Sequence, residues 1–149
     1  MHIPIKRFDT DFPLPTATPG AACFDYICRE TVTIPPKEIK AIRQNVAIQI
    51  PDGYALLVFS RSSTPHKKGL MMANGVGVID PFYRGDNDEQ MIFLYNFTDH
   101  LVTVEAGEKL AQGMFVKSEV IEWDEKDHFG EDGHGGYQHT DNKKVFNKD

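Results

Sequence analysis

Short apolar runs recur along the chain, each bordered by residues that favour turns. They occupy residues 31–34, 39–42, 46–50, 54–59, 77–79, 91–97, 101–104 and 109–116. Their short length and their content of Val, Ile, Phe and Tyr predict β-strands. Val46-Ala47-Ile48-Gln49-Ile50 alternates apolar and polar or small positions, which predicts a half-buried strand. Pro51-Asp52-Gly53 and Glu105-Ala106-Gly107-Glu108 predict turns. No long stretch carries a 3.6-residue period, and a single helical turn near residues 66–69 is the most helix the pattern allows. Many short strands with frequent turns predict an all-β sandwich or barrel.

The pattern changes near the end. Glu122 to Asp132 holds six acids and one lysine, followed by Gly133, Gly135, Gly136 and a polar terminus. This stretch cannot build a core, so the sequence predicts a β domain over residues 1–128 and a mobile, glycine-rich C-terminal arm over 129–149.

Composition narrows the function. A chain of 149 residues, 40% hydrophobic and 26% charged, suits one globular domain. Lys and Arg total 16 against 22 Asp and Glu, a net charge of -6. That balance argues against nucleic acid or an anionic membrane surface as partner, but leaves room for a small anion held by a local group of donors. No apolar run approaches the ~20 residues of a membrane span, and the N-terminus lacks the apolar stretch of a signal peptide. Cys23 and Cys28 form no CxxC pair and read as free thiols, which points to the cytoplasm.

Five segments can carry chemistry. In Asn74-Gly75-Val76-Gly77-Val78-Ile79-Asp80-Pro81-Phe82-Tyr83-Arg84-Gly85 an apolar strand delivers Asp80 to a turn, where a carboxylate can act as general base on water or simply open the turn. Ser60-Arg61-Ser62-Ser63-Thr64 is a cluster of donors for an anion, or an ordinary polar loop. Asp25 sits in an apolar setting, either satisfied by backbone N–H groups or facing a metal through water. Gln112 follows a turn into a strand and by residue type alone reads as an outward amide. Gly133 to Thr140 offers glycine backbone for a polyphosphate and one aromatic, Tyr137, to stack on a base, or is a tail without a role. The six histidines show no zinc-ligand spacing, and no P-loop or nucleophile-elbow motif occurs.

The order and spacing of these segments add what each lacks alone. The sequence resembles the trimeric dUTPase family, whose five short motifs occur in this order. Leu14 through Asp25 is similar to the first motif with its lead-in, Ser60-Arg61-Ser62-Ser63 to the second, and Gly77-Val78-Ile79-Asp80 with Tyr83-Arg84-Gly85 to the third. Gly107 to Gln112 is similar to the fourth and Gly133 to Thr140 to the fifth. The likeness covers about residues 4–140. It implies a jelly-roll-like β fold, a homotrimer with shared sites, and Mg²⁺-dependent hydrolysis of dUTP to dUMP and pyrophosphate, which clears dUTP and supplies dUMP.

The resemblance also implies roles. Asp80 would deprotonate the water that attacks the α-phosphate. Tyr83 would pack under the deoxyribose and leave no room for a 2′-hydroxyl. Asn74, with the backbone of Gly77, Val78 and Ile79, would read uracil. Arg61, Ser62, Ser63 and Gln112 would hold the phosphates, and Asp25 would face the metal through water. Tyr137 would stack over the uracil, with Thr140 beside it in the closing arm.

Five departures stand out, one of them Gln138-His139 in the place of the family's Gly-Ser after the aromatic. Asp132 occupies the place of an arginine that reaches the γ-phosphate, and Lys143, Lys144 or His134 would have to supply that charge. Between Gly85 and Asn96 the chain is about three residues longer than the family pattern, through Asp86-Asn87-Asp88-Glu89-Gln90, which the sequence places in a turn or bulge beyond the site. Lys109 replaces an arginine and Cys23 a glycine.

Two rivals remain. A dCTP deaminase needs a glutamate three residues before Asn96, where this chain has Phe93. A catalytically weakened dUTP-binding regulatory protein would explain the altered fifth motif, but has no need of Asp80 as a base.

Overall fold

Eleven strands and one short helix build the described part of the chain, residues 1–131 and 133 of the computed structural model. Strands β1 (Ile5–Arg7), β2 (Phe24–Asp25), β3 (Val32–Ile34), β4 (Ile39–Arg43), β5 (Val46–Ile48) and β6 (Tyr54–Ser60) precede helix α1 (Ser63–Lys68). Strands β7 (Leu70–Met72), β8 (Gly77–Ile79), β9 (Met91–Asn96), β10 (Val102–Val104) and β11 (Ala111–Lys117) follow it. They form a four-stranded sheet β2-β11-β6-β8, a three-stranded sheet β4-β9-β7, and the pairs β1-β5 and β10-β3, with every pairing antiparallel. The all-β expectation holds, and α1 is longer and starts earlier than the single turn that the sequence allowed.

Alternation drives the packing. On β4, β9 and β7, Ile42, Ile92, Leu94, Leu70 and Met72 point inward and are buried with Ile34, Ile50 and Leu56 in one core. Each such side chain contributes roughly 1.5–3 kcal/mol by leaving water. The outward positions of the same sheet, Ile39, Met71, Met91 and Phe93, are apolar yet exposed. Strand β5 departs from the half-buried expectation, because Val46, Ala47 and Ile48 are all buried. Ala47 is small enough to be covered on its outer side by the chain around Lys6 and Arg84–Asp86.

Turns follow the residues that permit them. Tyr54 N–H donates to Pro51 O across Gly53 at φ +76°, and Glu108 N–H to Glu105 O across Gly107 at φ +89°. Gly69 ends α1 at φ +66°, where any Cβ would collide with the Thr98 side chain. After Lys117 the described chain forms no further strand, and Val120, Ile121, Trp123 and Phe129 are exposed. No helix among the described residues is long and apolar enough to cross a membrane.

Both cysteines are free, but their surroundings differ. Burial, reinforced by the nearby Glu108 carboxylate, pushes the Cys28 thiol up to about 11. A thiol reagent at pH 8 is expected to label Cys23 of the native chain quickly and Cys28 only after denaturation, counted by absorbance. Rapid labelling of both thiols in the folded protein would contradict the burial.

Candidate active site

One end of the four-stranded sheet gathers the candidate anion-binding residues. Asp25 on β2 lies directly opposite Gln112 on β11, which pairs in turn with Phe59 on β6, so Asp25 and Gln112 share a face. Strand β6 ends at Ser60 and hands the chain to Arg61, whose N–H donates to Leu110 O at 2.9 Å. Thr64 fixes the start of α1 by donating its hydroxyl to the same carbonyl at 2.7 Å. These elements enclose a cleft of ≈ 380 Å³ lined by Asp25, Arg61, Ser62, Ser63 and Gln112, together with Cys23.

The charges in this cleft are already paired. Arg61 Nε lies 3.0 Å from Asp25 Oδ1, and Arg61 Nη1 donates to Lys109 O at 3.0 Å. Lys109 Nζ stands 3.7 Å from the other Asp25 oxygen. Counting Lys109, which meets Asp25 from outside the lining, two cations face one carboxylate, a local positive balance that suits an incoming polyanion. Ser62 stands at the helix N-cap without using its side chain there. Gln112 Nε2 makes only a long bond, 3.4 Å to Ser60 O. Lys109, noted in the sequence only as a departure at an arginine position, reaches Asp25 from the segment entering β11.

A second cleft, of ≈ 280 Å³, lies at the other end of the same sheet. Val78, Ile79, Asp80 and Tyr83 line it with Gln90, Met91 and Phe93. Asp80 is exposed on a turn closed by Tyr83 N–H donating to Asp80 O at 3.1 Å. It is the only carboxylate in that lining. The Tyr83 hydroxyl donates to Glu89 O at 2.9 Å. Burial, then the Asp88 and Glu89 carboxylates, push the Tyr83 phenol up, so it remains a donor at neutral pH. Gly77 pairs with Val58, and a Cβ there would press on Val58 Cβ at 3.3 Å. Asn74 is exposed on the turn before β8, outside the lining of both clefts.

The segment expected beyond the site proves to be part of it. Glu89 and Gln90 are buried, Gln90 lines the cleft of Asp80, and Glu89 anchors Tyr83. The reason is chemical: Glu89 meets Arg29 and Arg43, and Gln90 accepts the Tyr26 hydroxyl. Tyr137, Thr140, Asp132, His134, Lys143 and Lys144 lie outside the described residues.

The two clefts are held apart by strand register. Leu56 pairs with Ile79, so Asp80 sits beside Ala55, while Arg61 follows the opposite end of β6. Six residues of strand separate these positions by on the order of 20 Å.

The chain is similar to known proteins in both sequence and structure. The dUTPase family model matches residues 11–140. A deoxyuridine 5'-triphosphate nucleotidohydrolase of Lactococcus lactis is 38% identical over 127 residues, covering 83% of this chain and 84% of that protein. Its counterpart from Shewanella oneidensis is 36% identical over 144 residues, 93% of each chain. The crystal structure of the dUTPase from Streptococcus mutans matches with a TM-score of 0.73 at 34% identity, over 80% of this chain and 98% of that one. A variant dUTPase of Staphylococcus bacteriophage 80alpha, solved with dUpNHpp, matches with a TM-score of 0.78 at 25% identity, over 91% and 94%. The jelly-roll-like architecture expected from the motifs is thereby shown.

Gly113 tests the packing under the first cleft. A Cβ at this position would lie 2.5 Å from Phe24 Cζ, next to Asp25. Gly113→Ala is expected to destabilise the fold by about 1–3 kcal/mol, the usual cost of overpacking, measured by urea denaturation. An unchanged midpoint would show that Phe24 moves aside freely.

Proposed function

The chain belongs to the dUTPase family, and we propose that it hydrolyses dUTP to dUMP and pyrophosphate at sites built jointly by copies of itself. The separation of the two clefts carries this reading. Arg61 stands at one end of β6 and Asp80 beside the other, and side chains cannot close a gap on the order of 20 Å. A second copy that brings its Asp80 to the first copy's Arg61 completes the site. The family resemblance supports a closed homotrimer as that assembly. The exposed apolar face of Ile39, Met71, Met91 and Phe93 supports an assembled state.

In this reading Arg61, Ser62, Ser63, Gln112 and Lys109 hold the phosphate oxygens. Asp80 from the neighbouring copy takes the proton of a water attacking the α-phosphorus, while the bond to the β-phosphate oxygen breaks in line. Tyr83 packs beneath the deoxyribose, where a 2′-hydroxyl would collide. Asn74 and the backbone of Gly77, Val78 and Ile79 read the uracil edge, and Tyr137 and Thr140 close over it from the arm.

Mg²⁺ fits the donor set. No group of three His, Cys, Asp or Glu among the described residues forms a metal cage, and an ion carried by phosphate oxygens and water needs none. Asp25, the carboxylate in the Arg61 cleft, would face its water shell. When bound, the ion offsets phosphate charge and eases departure of pyrophosphate. The free thiols suit a reducing cytoplasm. Phe93 stands in the cleft of Asp80 where a deaminase would need an acid.

Release of pyrophosphate from dUTP tests this reading. Asp80→Asn is expected to lower kcat by roughly 10²–10⁴, the usual worth of a general base, while dUTP still binds. Tight dUTP binding by the wild-type chain without turnover would instead favour the regulatory protein, and ammonia from dCTP would favour the deaminase.

Subunit mixing tests the sharing. Asp80→Asn and Arg61→Ala chains, each inactive alone, are expected after unfolding and co-refolding to regain about a quarter of wild-type activity, the fraction for random assortment of two required residues. No recovery from well-folded mixed oligomers would place both residues in one chain's site.

A further inference from the structure

We propose that Glu89 is a positioning residue for Tyr83, and that its buried carboxylate sets how strictly the site refuses a ribose. This rests on the dUTP reading above and extends it to a segment outside the family's five motifs. The Glu89 side chain is only 4% exposed. Its Oε2 receives Arg29 Nη2 at 2.8 Å and Arg43 Nη1 at 2.9 Å, and its Oε1 accepts the Asn45 N–H at 3.1 Å. Arg43 Nε also stands 3.6 Å from Glu30, so two cations and two anions balance. Removing one partner of such a buried group leaves the rest uncompensated, which makes the arrangement rigid.

The same residue holds Tyr83 through its backbone, since Glu89 O accepts the Tyr83 hydroxyl. The residue that follows braces that carbonyl. Gln90 N–H donates to Val46 O at 2.8 Å, and Gln44 N–H donates to Gln90 O at 2.9 Å. Asn45 adopts φ +64° and clasps Asp9, accepting its N–H at 2.7 Å and donating to its carbonyl at 2.9 Å. The tyrosine is therefore tied at both ends, by its N–H to Asp80 O and by its hydroxyl to Glu89 O. A ring fixed in this way cannot retreat to admit a 2′-hydroxyl. Steric exclusion is only as strict as the anchoring of the group that excludes.

The experiment compares kcat/KM for dUTP with that for UTP in wild type, Glu89→Gln, Tyr83→Phe and the double variant, below the melting temperature of each. Glu89→Gln is expected to lower the dUTP preference about five- to tenfold, the worth of one hydrogen bond. Tyr83→Phe is expected to do the same, and the double variant no more than either. Val104→Ala, a core change away from the cluster, lowers stability as a control and is expected to keep the wild-type preference. Should Glu89→Gln fail to fold, Arg43→Met, which withdraws a half-exposed arm of the cluster, carries the same expectation.

A wild-type preference in the cluster variants, or strictly additive losses in the double variant, would overturn the proposal. A substrate-free readout keeps it separate from the reading beneath it. The Tyr83 ring NMR signals, assigned with Tyr83→Phe, are expected to move toward those of an exposed tyrosine in Glu89→Gln; unchanged signals would overturn the positioning role even if dUTP were not the substrate. A folded wild-type chain that fails to turn over dUTP would overturn the functional reading alone.

Discussion

The antiparallel pairing of β6 with strands on both sides is the constraint from which the rest of the site follows. On one edge β11 fixes Gln112 and, through β2, Asp25. On the other edge β8 delivers Asp80. A strand is inextensible and its side-chain period is 2, so a shift of one residue would turn every inward side chain outward. Leu56 and Val58 are buried on β6, which locks the register and with it the distance between cation and carboxylate. Hydrophobic burial thus decides that one chain presents two separate clefts.

A second layer of order is polar. Tyr26 is fully buried, and burial pushes its phenol well up, so it stays protonated and donates to Gln90. Glu89 beside it is neutralised by Arg29 and Arg43. Although Gln90 Nε2 itself is buried without a partner, a rearrangement here would strip the Glu89 charge or the Tyr26 hydroxyl of its partners, so few alternatives are open. These buried polar groups hold Glu89 and Gln90 against β5 and Asn45, although residues 86–90 have the composition of a surface loop.

The strands with continuous apolar runs were legible, because β-branched and aromatic residues bounded by turns leave little choice of structure. Strands β1, β2 and β7 were not. Phe24–Asp25 spans two residues and exists as a strand through its pairing with β11, while Leu70–Met72 hides behind the Gly69 helix end. Of the site, the short motifs revealed Asp25, Arg61, Ser62, Ser63, Asp80, Tyr83 and Gln112 as candidates, and the structure sorts them into two clefts. Glu89 escaped notice because its arginine partners lie 60 and 46 residues away, and nothing local marks an acid in Asp86-Asn87-Asp88-Glu89-Gln90 as buried. Lys109 was noted only as a departure, because its contact with Asp25 depends on β11 and β2 lying side by side.

The pairing of Arg61 and Lys109 around Asp25 has an entropic side. Long cationic side chains each carry roughly 2 kcal/mol of rotamer freedom, and a ligand that must immobilise them loses that much of its own attraction. Here an internal carboxylate has already restrained both during folding. A phosphate bound there would meet donors whose directions are chosen, and the work of ordering them would belong to the stability of the fold, not to the affinity of the ligand.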